Sequence, residues 1–151
     1  MIAVSNSSPL IALAQIGQID LLQRLFESVW IPEAVAREAA SSISGSGWIA
    51  IQPVQALHPR TLLPSLALGE QEAISLAVEI RDALVILDDG AARALAQALH
   101  LPVVGTAGLL VIAKERGLIS AVQPHLDALI SNRFFLSRQV YELILRKAGE
   151  R

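Results

Sequence analysis

The chain has 151 residues, 53% hydrophobic and 17% charged, with no cysteine and a formal net charge of −2. Those numbers exclude a disordered or fibrous chain, a disulfide scaffold, a thiol nucleophile and a cysteine-ligated zinc site. They also argue against nucleic-acid binding through one broad basic face. The length is that of a single domain, expected to span residues 1–151. With 4% aromatic residues, the core must be built from Leu, Ile, Val and Ala.

Ile2 to Ser5 reads as a short apolar strand. Asn6-Ser7-Ser8-Pro9 follows with helix-capping chemistry and a proline suited to a first helical turn. A buried helix then runs to Gly17, and Leu21, Leu22, Leu25 and Phe26 predict a second helix. Val29 to Ile31 is a strand, and Pro32 opens a helix to about Ala40. Ser41 to Gly47 reads as a loop, and Trp48 to Val54 as a strand. A helix from Gly69 to about Arg81 precedes the apolar strand Leu84 to Leu87, which ends in Asp88-Asp89. A helix from Gly90 to Leu99, the strand Val103-Val104 and a helix from Thr106 to Arg116 come next. Helices at about Ala121 to Ile130 and Ser137 to Lys147 complete the chain. Short apolar strands alternating with helices imply an α/β fold, a parallel sheet covered on both faces.

Ala94 to Ala113 carries no formal charge and is long enough to span a bilayer. Pro102, Gly105 and Gly108 break it into a helix, a strand and a helix. The uncharged first 19 residues lack a basic start and are interrupted by Asn6, Ser7, Ser8 and Pro9. Neither a membrane span nor a signal peptide is expected, and the cysteine-free composition suits a cytoplasmic protein.

Ligands of such sheets bind at the carboxyl ends of the strands. Three strand ends carry compact oxygen groups: Ser5 to Ser8, Asp88-Asp89, and Gly105-Thr106. No glycine-rich phosphate loop is present, which disfavours a dinucleotide enzyme or a P-loop NTPase. Asp88 and Asp89 are adjacent and repel, unless one caps the next helix and the other is solvated. Glu70 and Glu72 lie in a first helical turn, where the helix dipole favours them; Glu70 shares its face with Ala73, Ile74 and Ala77. Glu38 falls near a helix C-terminus, where a carboxylate is disfavoured, so it needs a partner, either an ion pair or a shared site. His58, His100 and His125 have no metal-ligand spacing among them, and neither Ser7 nor Ser8 has a histidine at hydrolase spacing. A receiver-like domain would need a lysine at a later strand end, and Lys114 falls within a helix. Asn6, Glu38, Glu70 and Asp88 together would form a hard-oxygen cluster suited to Mg²⁺ or Mn²⁺.

Val4-Ser5-Asn6-Ser7-Ser8-Pro9-Leu10-Ile11-Ala12-Leu13 resembles the opening of PIN-domain proteins, and in particular a prokaryotic branch that opens S-[DN]-T-S-P-L-I. Ile31-Pro32-Glu33-Ala34-Val35 with Glu38, Leu68-Gly69-Glu70-Gln71-Glu72-Ala73-Ile74, and Leu87-Asp88-Asp89 with Arg93 agree with it. So does Gly105-Thr106-Ala107-Gly108-Leu109-Leu110, followed by Lys114 and Gly117-Leu118-Ile119. The resemblance implies a three-layer α/β/α sandwich and a Mg²⁺- or Mn²⁺-dependent ribonuclease, the toxin of a toxin–antitoxin pair. It places metal ligands at Asn6, Glu38, Glu70 and Asp88, with Asp89 sharing the last role. Glu38, Glu70 and Asp88 are the expected catalytic acids, supported by Ser7 or Ser8. Arg93, Lys114 and Arg116 are candidates for contacts to RNA phosphates. RNA, an antitoxin protein and a second copy in a homodimer are the expected partners. The first family acid is usually Asp. Asn6 supplies a neutral oxygen there, so the alternative is a weakened module that binds RNA or a partner protein without cleaving it.

Overall fold

The computed structural model describes residues 1–151. A central strand, β1 (Ile2–Ser5), is flanked by β2 (Ser28–Ile31) and β4 (Ala83–Ile86), with β3 (Ile49–Ile51) and β5 (Val103–Val104) at the edges. All neighbours are parallel, in the order β3-β2-β1-β4-β5. Period-two alternation splits the core into two layers. Ala3 and Ile86 face one core, built with α1 (Ser7–Gln15), α2 (Leu21–Leu25), α7 (Thr106–Glu115), α8 (Gln123–Ser131) and α9 (Arg138–Lys147). Val4, Val85 and Leu87 face the other, built with α5 (Leu68–Ile80) and α6 (Gly90–Ala98). The result is the three-layer α/β/α sandwich expected from the pattern. No helix is long and apolar enough to cross a membrane.

Parallel strands put every carboxyl end on one edge of the sheet. Ser5 pairs with Ile86 in register, and Asn6 N–H donates to Ile86 O at 3.1 Å. The strand order reverses between β1 and β4, which opens a crevice where ligands of such sheets bind. Asn6 and Asp88 stand on its two sides.

Two segments differ from the sequence reading. The helix opened by Pro32 breaks at Ala39 into α3 (Glu33–Glu38) and α4 (Ala40–Ile43), so part of the expected Ser41–Gly47 loop is helical. Ala39 is buried against the first core, and that packing holds the bend. β3 ends at Ile51, well short of Val54: Pro53 has no N–H to extend the ladder.

Candidate active site

Asn6 occupies the N-cap position of α1, yet its side chain makes no capping bond. An N-cap oxygen normally accepts from the N–H two or three residues on. Here the third residue is Pro9, which has no N–H. Asn6 Oδ1 is consequently free of its usual partner. It is buried, and it is the one buried side-chain polar atom with no hydrogen-bond partner. Such an atom costs roughly 1–3 kcal/mol unless something meets it.

Glu38 lies beside it. The last residue of α3, it receives a hydrogen bond from Ser7 Oγ at 3.1 Å through Oε2. Its other oxygen, Oε1, turns toward Gly69 in the first turn of α5. A Cβ on Gly69 would collide with Glu38 Oε1 and come 3.1 Å from Asn6 Oδ1. The missing side chain thus leaves a small cradle in which these two oxygens converge. Ser7 is the hydroxyl drawn into the cluster, whereas Ser8 is exposed on the other side of the turn.

Glu70 is 9% exposed, and its Oε1 accepts from Ala67 N–H at 2.9 Å. This is half of a capping box, because Ala67 has no oxygen to return. Burial raises the carboxyl's pKa; the Ala67 hydrogen bond partly opposes this, and the charges of Asp89 and Glu38 add to it. Glu72 leaves the cluster and caps a neighbouring helix instead, accepting from Ala34 N–H at 3.1 Å.

Asp88 is held differently from the expectation. Oδ1 accepts from Thr106 N–H at 2.8 Å and Oδ2 from the Thr106 hydroxyl at 2.6 Å. Both carboxylate oxygens are thereby turned toward the start of α7. Asp89 caps α6, accepting from Ala92 N–H at 2.9 Å through Oδ2. No three His, Asp or Glu side chains stand close enough to hold an ion by themselves. Of the expected four ligands, Asn6 and Glu38 meet at Gly69, and Glu70 lies within reach of the charges of Glu38 and Asp89, whereas Asp88 is turned to Thr106. None of these acids forms an ion pair; the molecule's ion pairs join Met1 to Glu27, Lys114 to Glu150 and Arg151 to Glu142.

The three expected phosphate contacts separate. Arg93 stays at the site: its Nη1 donates to Leu87 O at 3.1 Å, and a Cβ on Gly105 would come 2.8 Å from that nitrogen and 2.9 Å from Asp88 Oδ1. Lys114 does not. It lies near the far end of α7 and donates to Ala148 O at 2.6 Å and Glu150 Oε2 at 3.0 Å. Arg116 donates to Leu25 O at 2.8 Å, also beyond the end of α7. Both cations tie down the chain at the opposite end of the sheet.

Sequence reasoning passed over Gly69 and Thr106 as site residues. A glycine directly before a buried acid in a first helical turn signals the former. Thr106 was visible only as a strand-end hydroxyl, with nothing to connect it to Asp88.

A parallel α/β sandwich with unpaired acids and an orphan amide oxygen at its topological switch point presents hard-oxygen groups where such sheets bind their ligands. The family model described as "DUF3368: PIN domain" matches residues 2–150. The chain belongs to the PIN-domain family. Its fold is similar to that of a PilT N-terminus domain protein, SSO1118, from the hyperthermophilic archaeon Sulfolobus solfataricus P2. The TM-score is 0.55 at 20% identity, over 75% of this chain and 93% of that one. None of the curated proteins matches this chain.

Proposed function

We propose that the protein is a divalent-metal-dependent ribonuclease of PIN type, acting in the cytoplasm as the toxin of a toxin–antitoxin pair. The observation that carries this reading is the buried, unpartnered Asn6 Oδ1 facing Glu38 across the Gly69 cradle. A cation there would satisfy the orphan oxygen and relieve the repulsion that helps raise the Glu70 pKa. The donors are an amide and carboxylates, which suit Mg²⁺ or Mn²⁺ rather than softer ions. Asn6, Glu38 and Glu70 would hold the ion, with Asp88 or Asp89 completing the set. When bound, it would acidify water and offset charge developing on a phosphodiester.

The chain's own residues do the rest. Ser7 fixes the Glu38 carboxylate through its hydroxyl. One of the carboxylates that hold the ion would accept a proton from the attacking water as a general base. Arg93, anchored on Leu87 O, offers its remaining donors to a phosphate. An antitoxin would restrain the enzyme, and a homodimer is the proposed assembly.

A second reading, a PIN module that holds RNA or a partner protein without cutting it, draws on two observations. Asn6 brings no charge to the first acid position, and both Asp88 oxygens are engaged by Thr106. Cleavage of a fluorescent single-stranded RNA in Mn²⁺, with EDTA and Glu38→Gln as controls, separates the two. The ribonuclease reading expects cleavage that both controls abolish. Cleavage of equal rate in EDTA, or none in Mn²⁺ with RNA binding retained, would overturn it.

A further inference from the structure

The helix that carries Glu38 cannot hold its own place. α3 has six residues, under two turns, and a helix that short is not stable by itself. Its N-cap is Pro32, whose side chain makes no capping bond. The first N–H to bond within the turn is that of Ala36, to Pro32 O at 3.0 Å. The donors before it therefore need partners from outside the helix. Yet α3 ends on Glu38, whose carboxylate has to stand at one place for the cradle at Gly69 to form.

Glu72 supplies the outside partner. Its Oε1, reaching from α5, accepts from Ala34 N–H at 3.1 Å. A carboxylate at a helix N-terminus also has the sign that the helix dipole favours. Glu72 is half-buried and forms no ion pair, so this bond is its role. The spacing on both helices then matters. Ala34 and Glu38 are four apart on α3 and share a face; Gly69 and Glu72 are three apart on α5 and share one too. The two helices are thus registered at two points about one turn apart. Glu72 holds Ala34 at one, and Gly69 admits Glu38 Oε1 at the other. Glu70 lies between Gly69 and Glu72 on the same turn of α5. A slip of α3 at the first point is carried to the second.

Resting on the metal-dependent reading above, we infer that Glu72 is a positioning residue. It sets the register of α3 along α5, and with it the approach of the Glu38 carboxylate to Asn6 Oδ1. Glu72 acts through Glu38 and stays off the ion. What counts is the reach of its acceptor oxygen to Ala34, not its charge.

Three variants separate reach from charge. Glu72→Gln keeps the reach and loses the charge. Glu72→Asp keeps the charge and falls one methylene short. Glu72→Ala loses both; if it fails to fold, the other two carry the test. Mn²⁺ affinity is measured by calorimetry, well below the melting temperature of each. Glu72→Ala and Glu72→Asp should bind Mn²⁺ about 10- to 100-fold more weakly than wild type, the usual loss when a ligand's support is removed. Glu72→Gln should restore most of the affinity. Amide ¹H–¹⁵N spectra of the metal-free proteins give a second readout. Ser7 bonds Glu38, and Asn6 Oδ1 bonds nothing, so neither is bonded to Glu72. Their peaks should nevertheless move in Glu72→Asp and Glu72→Ala, and stay near wild type in Glu72→Gln. Wild-type Mn²⁺ affinity in Glu72→Asp with a loss in Glu72→Gln overturns the proposal, because charge would then decide. So does an unmoved Asn6 and Ser7 with faster exchange of the Ala34 amide, which would leave Glu72 as a cap and no more. A wild type that takes up no Mn²⁺ refutes the ribonuclease reading, and the metal-free spectra then decide the positioning role alone.

Discussion

Gly69→Ala separates the fold from the site. The added Cβ would strike Glu38 Oε1 and press on Asn6 Oδ1 at 3.1 Å. Glu38 ends in a flexible, exposed chain and can swing away, losing its 3.1 Å bond from Ser7. That bond is worth about 0.5–1.5 kcal/mol. Asn6 is 5% exposed and can yield only a few tenths of an ångström. Against these losses, alanine stabilises a helix over glycine by up to about 1 kcal/mol. The two effects nearly cancel, so the metal-free melting temperature should stay within about 4 °C of the wild type, at roughly 2–4 °C per kcal/mol for this size. The metal response should not survive. At a Mn²⁺ concentration 100 times Kd the wild type gains about 2.7 kcal/mol, or about 5–11 °C. Gly69→Ala fills the cradle and should show less than a quarter of that shift by differential scanning fluorimetry. A variant that keeps the full Mn²⁺ shift would refute the placement of the ion between Asn6 and Glu38.

Asn6→Asp adds a charge among unpaired carboxylates. It should lower metal-free stability by about 1–3 kcal/mol and tighten Mn²⁺ binding in calorimetry by tenfold or more, at an effective dielectric of ~20. In Glu70→Gln the pH dependence carries the information. The raised pKa means that protonated Glu70 stabilises the fold below the ordinary carboxylate range, a contribution lost as pH rises through the folded-state pKa. Urea melts should therefore find Glu70→Gln more stable than wild type at pH 7.5 and equal to it near pH 4. Thr106→Val removes the 2.6 Å hydroxyl bond to Asp88 Oδ2. It should cost about 1.5–3 kcal/mol in chemical denaturation, since the acceptor is charged. Burial raises the Glu150 pKa, but the N–H groups of Val122 and Gln123 and the Lys114 ammonium together hold it below its ordinary value. That contribution is present above the ordinary carboxylate range and lost as pH falls, so Glu150→Gln should destabilise at pH 7 and much less at pH 3.

The sheet was legible because its strands are short apolar runs bounded by Asn, Asp, Gly and Pro. Asn6 and Glu38 stood out for the same reason they sit together: each is awkward where the chain puts it. Long-range pairings were not legible. Arg116 reaches Leu25 across 91 residues and Lys114 reaches Glu150 across 36. Nothing local distinguishes such cations from ones that meet a phosphate. Asp88 and Thr106 lie 18 residues apart, and only the pairing of β4 with β5 brings them into contact. Phe135 could not be told from Phe134 by composition or spacing; one turn of backbone decides which ring is buried.

The central claim is that Asn6, Glu38 and Glu70 hold a divalent cation at the carboxyl edge of the sheet. Crystals grown in Mn²⁺, with anomalous diffraction recorded at the manganese edge, test it most directly. The account predicts one strong peak within coordination distance of Asn6 Oδ1 and a Glu38 oxygen, with Glu70 turned toward it. No peak at that edge in millimolar Mn²⁺, or a peak that leaves Asn6 Oδ1 unligated, would contradict it.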